Sequence, residues 1–235
     1  MKDSTTTKPS IVLVHGAFAD GSGWQKVIPL LAAKGFTVTA VQNPLTSLKD
    51  DVATTKRVIE AQTGDVVLVG HSYGGAVITV AGAGNDKVKA LVYVAAFAPD
   101  AGENVGGLIA KYPPVALATA LAPDSAGFLY IDRTKFREVF AGDVSAGEAA
   151  IMAATQKPVA ASAFGDSVGA AAWKTIPSWY VVSNQDHSVN PDLQRFMAQR
   201  MGAKTSEVKA SHVSLVSLPA EIARIIEEAA ATTAK

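Results

Sequence analysis

The chain reads as an α/β protein: a mostly parallel six-stranded sheet with helices on both faces and an inserted cap. Three observations predict it. Short runs of consecutive apolar residues recur along the chain, the pattern of strands buried on both faces. Between them lie segments whose apolar residues repeat with the helical period. The alternation lapses once, across 98–175, and then resumes. A structureless loop of that length inside a compact domain is implausible, so the lapse reads as an insertion between two strands. Strand–helix alternation of this kind gives right-handed crossovers and a sheet covered on both faces.

The elements follow in order. Ile11-Val12-Leu13-Val14 is the first strand, closed by His15-Gly16-Ala17-Phe18. Trp24, Val27, Ile28 and Leu31 then mark the inner face of a helix, stopped by Gly35. Phe36 to Val41 is the second strand, and Leu48, Val52, Thr55 and Ile59 line one face of the next helix. Val66 to Val69 is the third strand, and Ala76 to Ala81 fits a buried helix. Val88 to Ala96 is the fourth. Inside the insertion, Thr134 to Phe140 and Ala146 to Ala154 are helical pieces. Ser178 to Ser183 is the fifth strand. Asn190-Pro191 supplies an N-cap and a first-turn proline for a helix with Leu193, Phe196, Met197 and Met201 on one face. Thr205 to Val208 is the sixth strand. A last helix from Pro219 turns Ile222, Ile225, Ile226 and Ala229 inward. The expected division is a polar lead-in at 1–9, a core formed by 10–97 and 176–235, and a cap at 98–175.

Composition narrows the function. With 235 residues, 49% of them hydrophobic, the chain suits one domain with an insertion. At that size about 70–75% of the unfolded chain's surface is buried without staples. Lys+Arg and Asp+Glu are both 21. A neutral chain without a basic stretch is a poor nucleic-acid binder, and no segment reads as a membrane-surface helix or a span. There are no cysteines, so disulfides, thiolate nucleophiles and cysteine zinc sites are excluded. The polar N-terminal stretch has no apolar signal core, and the cytoplasm is the expected compartment.

The stretch with chemistry in it is Gly70-His71-Ser72-Tyr73-Gly74-Gly75, between the third strand and the helix after it. Glycines two before and two after the serine allow a sharp turn that leaves Ser72 at its tip. In an open parallel sheet, ligands bind beyond the carboxyl ends of the strands, so the partners of Ser72 belong in the other post-strand loops. A serine nucleophile needs a histidine base and a carboxylate to hold that base's tautomer. Of four histidines, His71 lies inside the turn, where its side chain is expected to point away from the place a base must occupy, and His15 belongs to a His-Gly turn where a structural hydrogen bond suits it better. His187 adjoins the best acid candidate. His212, after the last strand, is the base. Asp186, at the tip of a post-strand loop and ahead of His212 in the chain, is the acid candidate, and Asp100, after the strand ending near Ala96, is the runner-up. Asp166 and Asp192 read as surface or helix-start residues. The oxyanion of a tetrahedral intermediate needs two donors, assigned to the backbone N–H groups of Ala17 and Tyr73, with Phe18 lining the pocket.

Together with Trp24, Pro177-Ser178-Trp179-Tyr180 and Ser211-His212, these residues resemble the α/β-hydrolase superfamily. The resemblance is to its plant methylesterase and hydroxynitrile lyase branch and to bacterial esterase relatives, and it covers the chain after residue 9, weakly through the cap. It implies an α/β-hydrolase fold and a Ser-His-Asp hydrolase of small apolar or aromatic esters, working through an acyl-enzyme without metal or cofactor. The expected partner is one small-molecule ester, with no nucleic acid and no membrane. Hydroxynitrile lyases of the branch carry a lysine directly after the catalytic histidine. Here that position is Val213, which argues against lyase chemistry. A cofactor-free perhydrolase with the same triad and a non-catalytic small-molecule receptor are the alternatives. The G-x-G-x-x-G spacing of a dinucleotide binder is absent.

Overall fold

The computed structural model describes residues 8–233. Most of the lead-in expected at 1–9 therefore lies outside the described residues. The first half runs β1 (Ser10–Val14), α1 (Ile28–Ala33), β2 (Val38–Ala40), α2 (Leu48–Glu60), β3 (Val66–His71), α3 (Gly74–Ala81) and β4 (Val88–Val94). The insertion follows, with α4 (Val105–Ile109), β5 (Leu121–Pro123), β6 (Phe128–Ile131), α5 (Phe136–Phe140), α6 (Ala146–Thr155) and β7 (Val159–Ala160). The chain closes with β8 (Ser178–Ser183), α7 (Pro191–Arg200), β9 (Lys204–Val208), α8 (Ser214–Ser217) and α9 (Pro219–Ala231).

Six strands form one parallel sheet in the order β2-β1-β3-β4-β8-β9. Every residue of β1 and β3 is buried. Successive side chains on a strand point to opposite faces, so both faces of the sheet are covered. The order also sets where a site can form. From β1 the chain steps to one side, to β2, and then crosses back to β3 on the other side. Such a reversal opens a crevice beyond the strands' carboxyl ends. The β1–β3 register pairs Val14 with Gly70, so His15-Gly16 and His71-Ser72 leave the sheet side by side.

Helix ends follow their local chemistry. Ser47 accepts a hydrogen bond from the Asp50 N–H at 3.0 Å and caps α2, and Asn190 does the same for the Asp192 N–H at 2.9 Å to open α7. Gly35, at φ +80°, follows the end of α1. Three expectations change. The second strand, expected over 36–41, shrinks to Val38–Ala40, because this edge strand pairs on one side only, with Ile11 to Leu13. Trp24 lies in a short 3-10 turn, Gly21–Trp24, capped by Asp20, rather than on the helix that begins at Ile28. Phe196 does not join Leu193 and Met197 inside; it is exposed, with its ring against Tyr112 and under Arg200. The insertion contains helices at the two expected places and also a three-stranded antiparallel sheet, β5-β6-β7, which periodicity did not signal.

Candidate active site

Ser72 follows β3 directly and takes φ +55°, a left-handed conformation that costs a non-glycine residue about 1–2 kcal/mol. The surroundings hold it there. Its N–H donates to the Val94 carbonyl at 3.2 Å, and its own carbonyl accepts from Gly75 and Phe97 at 2.9 and 3.0 Å. The flanking glycines serve close approach. A Cβ on Gly70 would stand 2.7 Å from the Gly74 carbonyl oxygen, and one on Gly74 2.6 Å from that of Val14. The turn is therefore pressed against its own helix start and against the end of β1.

The candidate base and acid arrive from the other edge of the sheet. Asp186 follows β8, His212 follows β9, and His212 Nδ1 lies 2.7 Å from Asp186 Oδ2. Asp186 is buried and all four of its acceptor directions are used. Oδ1 accepts from the N–H groups of Ser188 and Val189 at 2.7 and 2.9 Å, and Oδ2 from His212 and from Gln194 Nε2 at 2.8 Å. A carboxylate so occupied fixes the proton of His212 on Nδ1 and leaves Nε2 a lone pair. That Nε2 is buried without a hydrogen-bond partner among the described residues. His212 and Ser72 both line one cavity of about 160 Å³.

The expectation that the His71 side chain points away from the place of the base fails: as the last residue of β3, His71 is packed against the loop after β9 that carries the candidate base. Its Nε2–H donates to the His212 carbonyl at 2.9 Å, and the two rings lie 4.6 Å apart. Burial drives the His71 pKa well below its ordinary value, so it packs as a neutral ring. The Phe140 ring, 4.9 Å from His212, closes the other side.

The His-Gly turn abuts the serine. A Cβ on Gly16 would come within 2.7 Å of Ser72 Cβ and 3.2 Å of its Oγ. His15 Nε2 accepts the Asn43 N–H at 2.9 Å, so Nδ1 carries the proton and donates to the Gly16 carbonyl at 2.8 Å. Burial holds the His15 pKa down at about 4. His15 is thus a neutral strut for the turn that presents Ala17, a lining residue of the cavity. Among the described residues, neither the Ala17 nor the Tyr73 N–H has an acceptor in the protein. Two unpaired donors beside a strained serine are the arrangement that can receive an oxyanion.

Family models decide the relationship. The alpha/beta hydrolase family model matches residues 11–225. The chain belongs to the alpha/beta hydrolase family. It is 29% identical to the probable hydrolase R7 of a Phoma species, over 95% of this chain and 99% of that one. It is 28% identical to methylesterase 8 of Arabidopsis thaliana, over 84% and 79%. A pyrethroid hydrolase structure from Sphingobium faniae superimposes with a TM-score of 0.81 at 24% identity, over 95% and 98%, a likeness of fold. In reaction class this alpha/beta hydrolase is a hydrolase.

The remaining candidates lie elsewhere in the alpha/beta hydrolase framework. Asp100 pairs with Lys174 at 2.5 Å, and the ring nitrogen of His212 that needs a carboxylate bonds Asp186 instead. His187 is exposed, its Nδ1 3.3 Å from the Glu138 carbonyl. Asp166 accepts the Leu48 N–H at 3.0 Å at the start of α2, and Asp192 pairs with Arg195 at 2.7 Å. Among the described residues no group of three or more His, Asp or Glu side chains could hold a metal, and no helix is long and apolar enough to cross a membrane.

Sequence reasoning missed two contributors to the candidate site. Gln194 sits on the inner face of α7, where a polar residue among Leu193 and Met197 was the available signal. Asp51 was equally unheralded. The Tyr73 hydroxyl donates to its Oδ2 at 2.8 Å, and its Oδ1 accepts the Leu45 N–H at 2.8 Å. Burial raises the Asp51 pKa from 3.8 to about 6, against hydrogen bonds that favour the carboxylate. A carboxyl harder to ionise in the fold than out of it contributes stability that is full below its unfolded value. That stability is lost as pH rises through about 6. Asp51→Asn keeps the shape and removes the ionisation. Its stability relative to wild type, from urea unfolding, is expected to rise between pH 4 and pH 7. A difference constant across that interval would refute the assignment.

Proposed function

We propose that this alpha/beta hydrolase is a serine esterase that cleaves small apolar or aromatic carboxylic esters through an acyl-enzyme. One observation carries the reading: the unpartnered Nε2 of His212 and the strained Ser72 face the same apolar cavity. Its other lining groups come from the core loops (Ala17, Phe18, Phe97, Val189) and from the insertion (Leu117, Phe140), with no charged side chain among them. The volume of about 160 Å³ matches cavities that take up a benzene-sized group, which favours one small apolar arm of an ester. The insertion then acts as the cap of that pocket.

In the mechanism, Ser72 Oγ attacks the ester carbonyl carbon while His212 Nε2 takes its proton, and Asp186 stabilises the imidazolium. The N–H groups of Ala17 and Tyr73 receive the oxyanion. Collapse breaks the C–O bond, and His212 passes its proton to the departing alcohol. Water then attacks the acyl-enzyme with His212 as base, and the acid leaves as Ser72 regains its proton. Val213, buried after His212, offers no cation to a departing anion, which supports hydrolysis over cyanohydrin cleavage.

The test pairs intact-mass analysis after an alkyl fluorophosphonate with steady-state hydrolysis of p-nitrophenyl esters of increasing acyl length. One adduct on Ser72 together with sustained turnover that favours short acyl chains is expected. An adduct without turnover would point to a binding protein, and no adduct at all would overturn the site.

A further inference from the structure

Gln194 is a wholly buried amide that touches the acid of the proposed triad, and burying an amide is unfavourable unless its donors and acceptor are matched. Its Oε1 accepts the Ser183 N–H at 3.0 Å, and its Nε2 donates to the Val189 carbonyl at 2.9 Å and to Asp186 Oδ2 at 2.8 Å. This orientation is unique. The partner at Oε1 is a donor only, and both partners at Nε2 are acceptors. No other common side chain of this length meets that demand, since a carboxylate lacks the two donors and an apolar chain leaves three backbone or carboxylate groups unmatched.

We propose that Gln194 is a positioning residue that aims the Asp186 carboxylate at His212 and shares its charge. The inference rests on the triad reading above. Backbone N–H groups secure Asp186 Oδ1, while the oxygen facing the base, Oδ2, has Gln194 as its one donor besides His212 among the described residues. Gln194 therefore decides which lone pair of Oδ2 is left for the imidazole. It also anchors that oxygen to the end of β8, through Ser183, and to the loop carrying the acid, through Val189. The charge effect follows. The amide N–H interacts most strongly with Asp186 while the imidazole is neutral, so removing it makes His212 more basic.

The titratable groups around this cluster are few. His71, against His212, is neutral because burial drives its pKa far down, and burial holds the Tyr180 phenol protonated near Asp186. In Gln194→Glu the introduced carboxyl would share one proton with Asp186, because two carboxylates at this separation do not both ionise readily. With that proton in place an O–H replaces the amide N–H. As pH rises and the proton leaves, the donor is replaced by a like charge.

The experiment measures the second-order rate of Ser72 labelling by an alkyl fluorophosphonate from pH 5 to 9, by intact mass, in the wild type, Gln194→Leu and Gln194→Glu. Thermal unfolding is recorded at each pH. Gln194→Leu is expected to label about 10- to 100-fold more slowly, the scale of a misplaced catalytic group, with the acid limb of its profile moved to higher pH. Gln194→Glu is expected to be nearest wild type at pH 5 and to fall progressively behind as pH rises. Folded variants that label at the wild-type rate would overturn the proposal, and so would a deficit by the same factor at every pH, which is the mark of a merely structural role. Should Gln194→Leu fail to fold, the pH course of Gln194→Glu decides alone. A wild type that does not label at Ser72 would overturn the triad reading itself, and with it this role.

Discussion

Replacing Ser72 with alanine is expected to lower turnover of a p-nitrophenyl ester by about 10⁴- to 10⁶-fold with the fold intact. The hydroxyl forms the acyl-enzyme in the proposed mechanism, and among the described residues no other free hydroxyl lines the cavity. Ser188, another hydroxyl lining the cavity, donates its Oγ–H to the Val139 carbonyl at 2.6 Å. The fold should be indifferent, because the bonds that hold position 72 run through its backbone: N–H to Val94, and carbonyl to Gly75 and Phe97. Alanine keeps all three and carries no more strain at φ +55° than serine does. His212→Ala should cost a similar factor, and the double variant should be no slower than either single one, since the groups act as a unit. A double variant slower by the product of the two factors would mean that Ser72 and His212 serve separate steps. Near-normal turnover in Ser72→Ala would place the chemistry elsewhere.

How much of this was legible in the sequence depends on whether a residue's role is set locally. Strands β1, β3, β4 and β8 could be read because buried parallel strands are nearly uninterrupted apolar runs, while the more polar, partly exposed edge strands β2 and β9 were placed by the alternation around them. The post-strand loops after β1, β3, β8 and β9 could be read because parallel topology sends them all to one end. The antiparallel sheet of the insertion could not. β7 is two residues, Val159–Ala160, β5 ends in a proline, and Gln156 ties Ile131 by both its N–H and its carbonyl, at 2.8 and 2.9 Å. Pairing there is held by a side chain distant in sequence, which no alternation pattern records. Phe196 fits the helical period of α7 yet lies outside, because the inner face at that level is taken by Leu193, Gln194 and Met197. The cavity wall is illegible for the same reason. Ile109, Leu121 and Phe164 converge only once the insertion is placed over the core. Gln194 and Asp51 looked like ordinary polar helix residues; their meaning comes from Asp186 and Tyr73, which reach them from other elements.

Asp186→Asn is expected to lower ester turnover by about 10⁴-fold, the scale on which an imidazole in the wrong tautomer fails as a base. The prediction rests on counting donors. Four N–H groups converge on this carboxylate, two on each oxygen. An asparagine has one oxygen, and the backbone N–H groups of Ser188 and Val189 will claim it, because they cannot turn away. Its NH₂ must then face Gln194 Nε2 and His212 Nδ1. Gln194 cannot flip to offer its oxygen without setting its NH₂ against the Ser183 N–H, so it keeps an unmet donor. His212 can adapt, and that adaptation is what removes activity: Nδ1 gives up its proton to accept from the new amide, and the proton moves to Nε2. A protonated Nε2 cannot take the Ser72 proton. The unmet donor at Gln194 should also destabilise the fold by about 1–3 kcal/mol. Fluorophosphonate labelling and urea unfolding of this one variant read the two effects separately. Loss of labelling with a small loss of stability is the expected pair, and labelling at the wild-type rate would remove Asp186 from the acid's place.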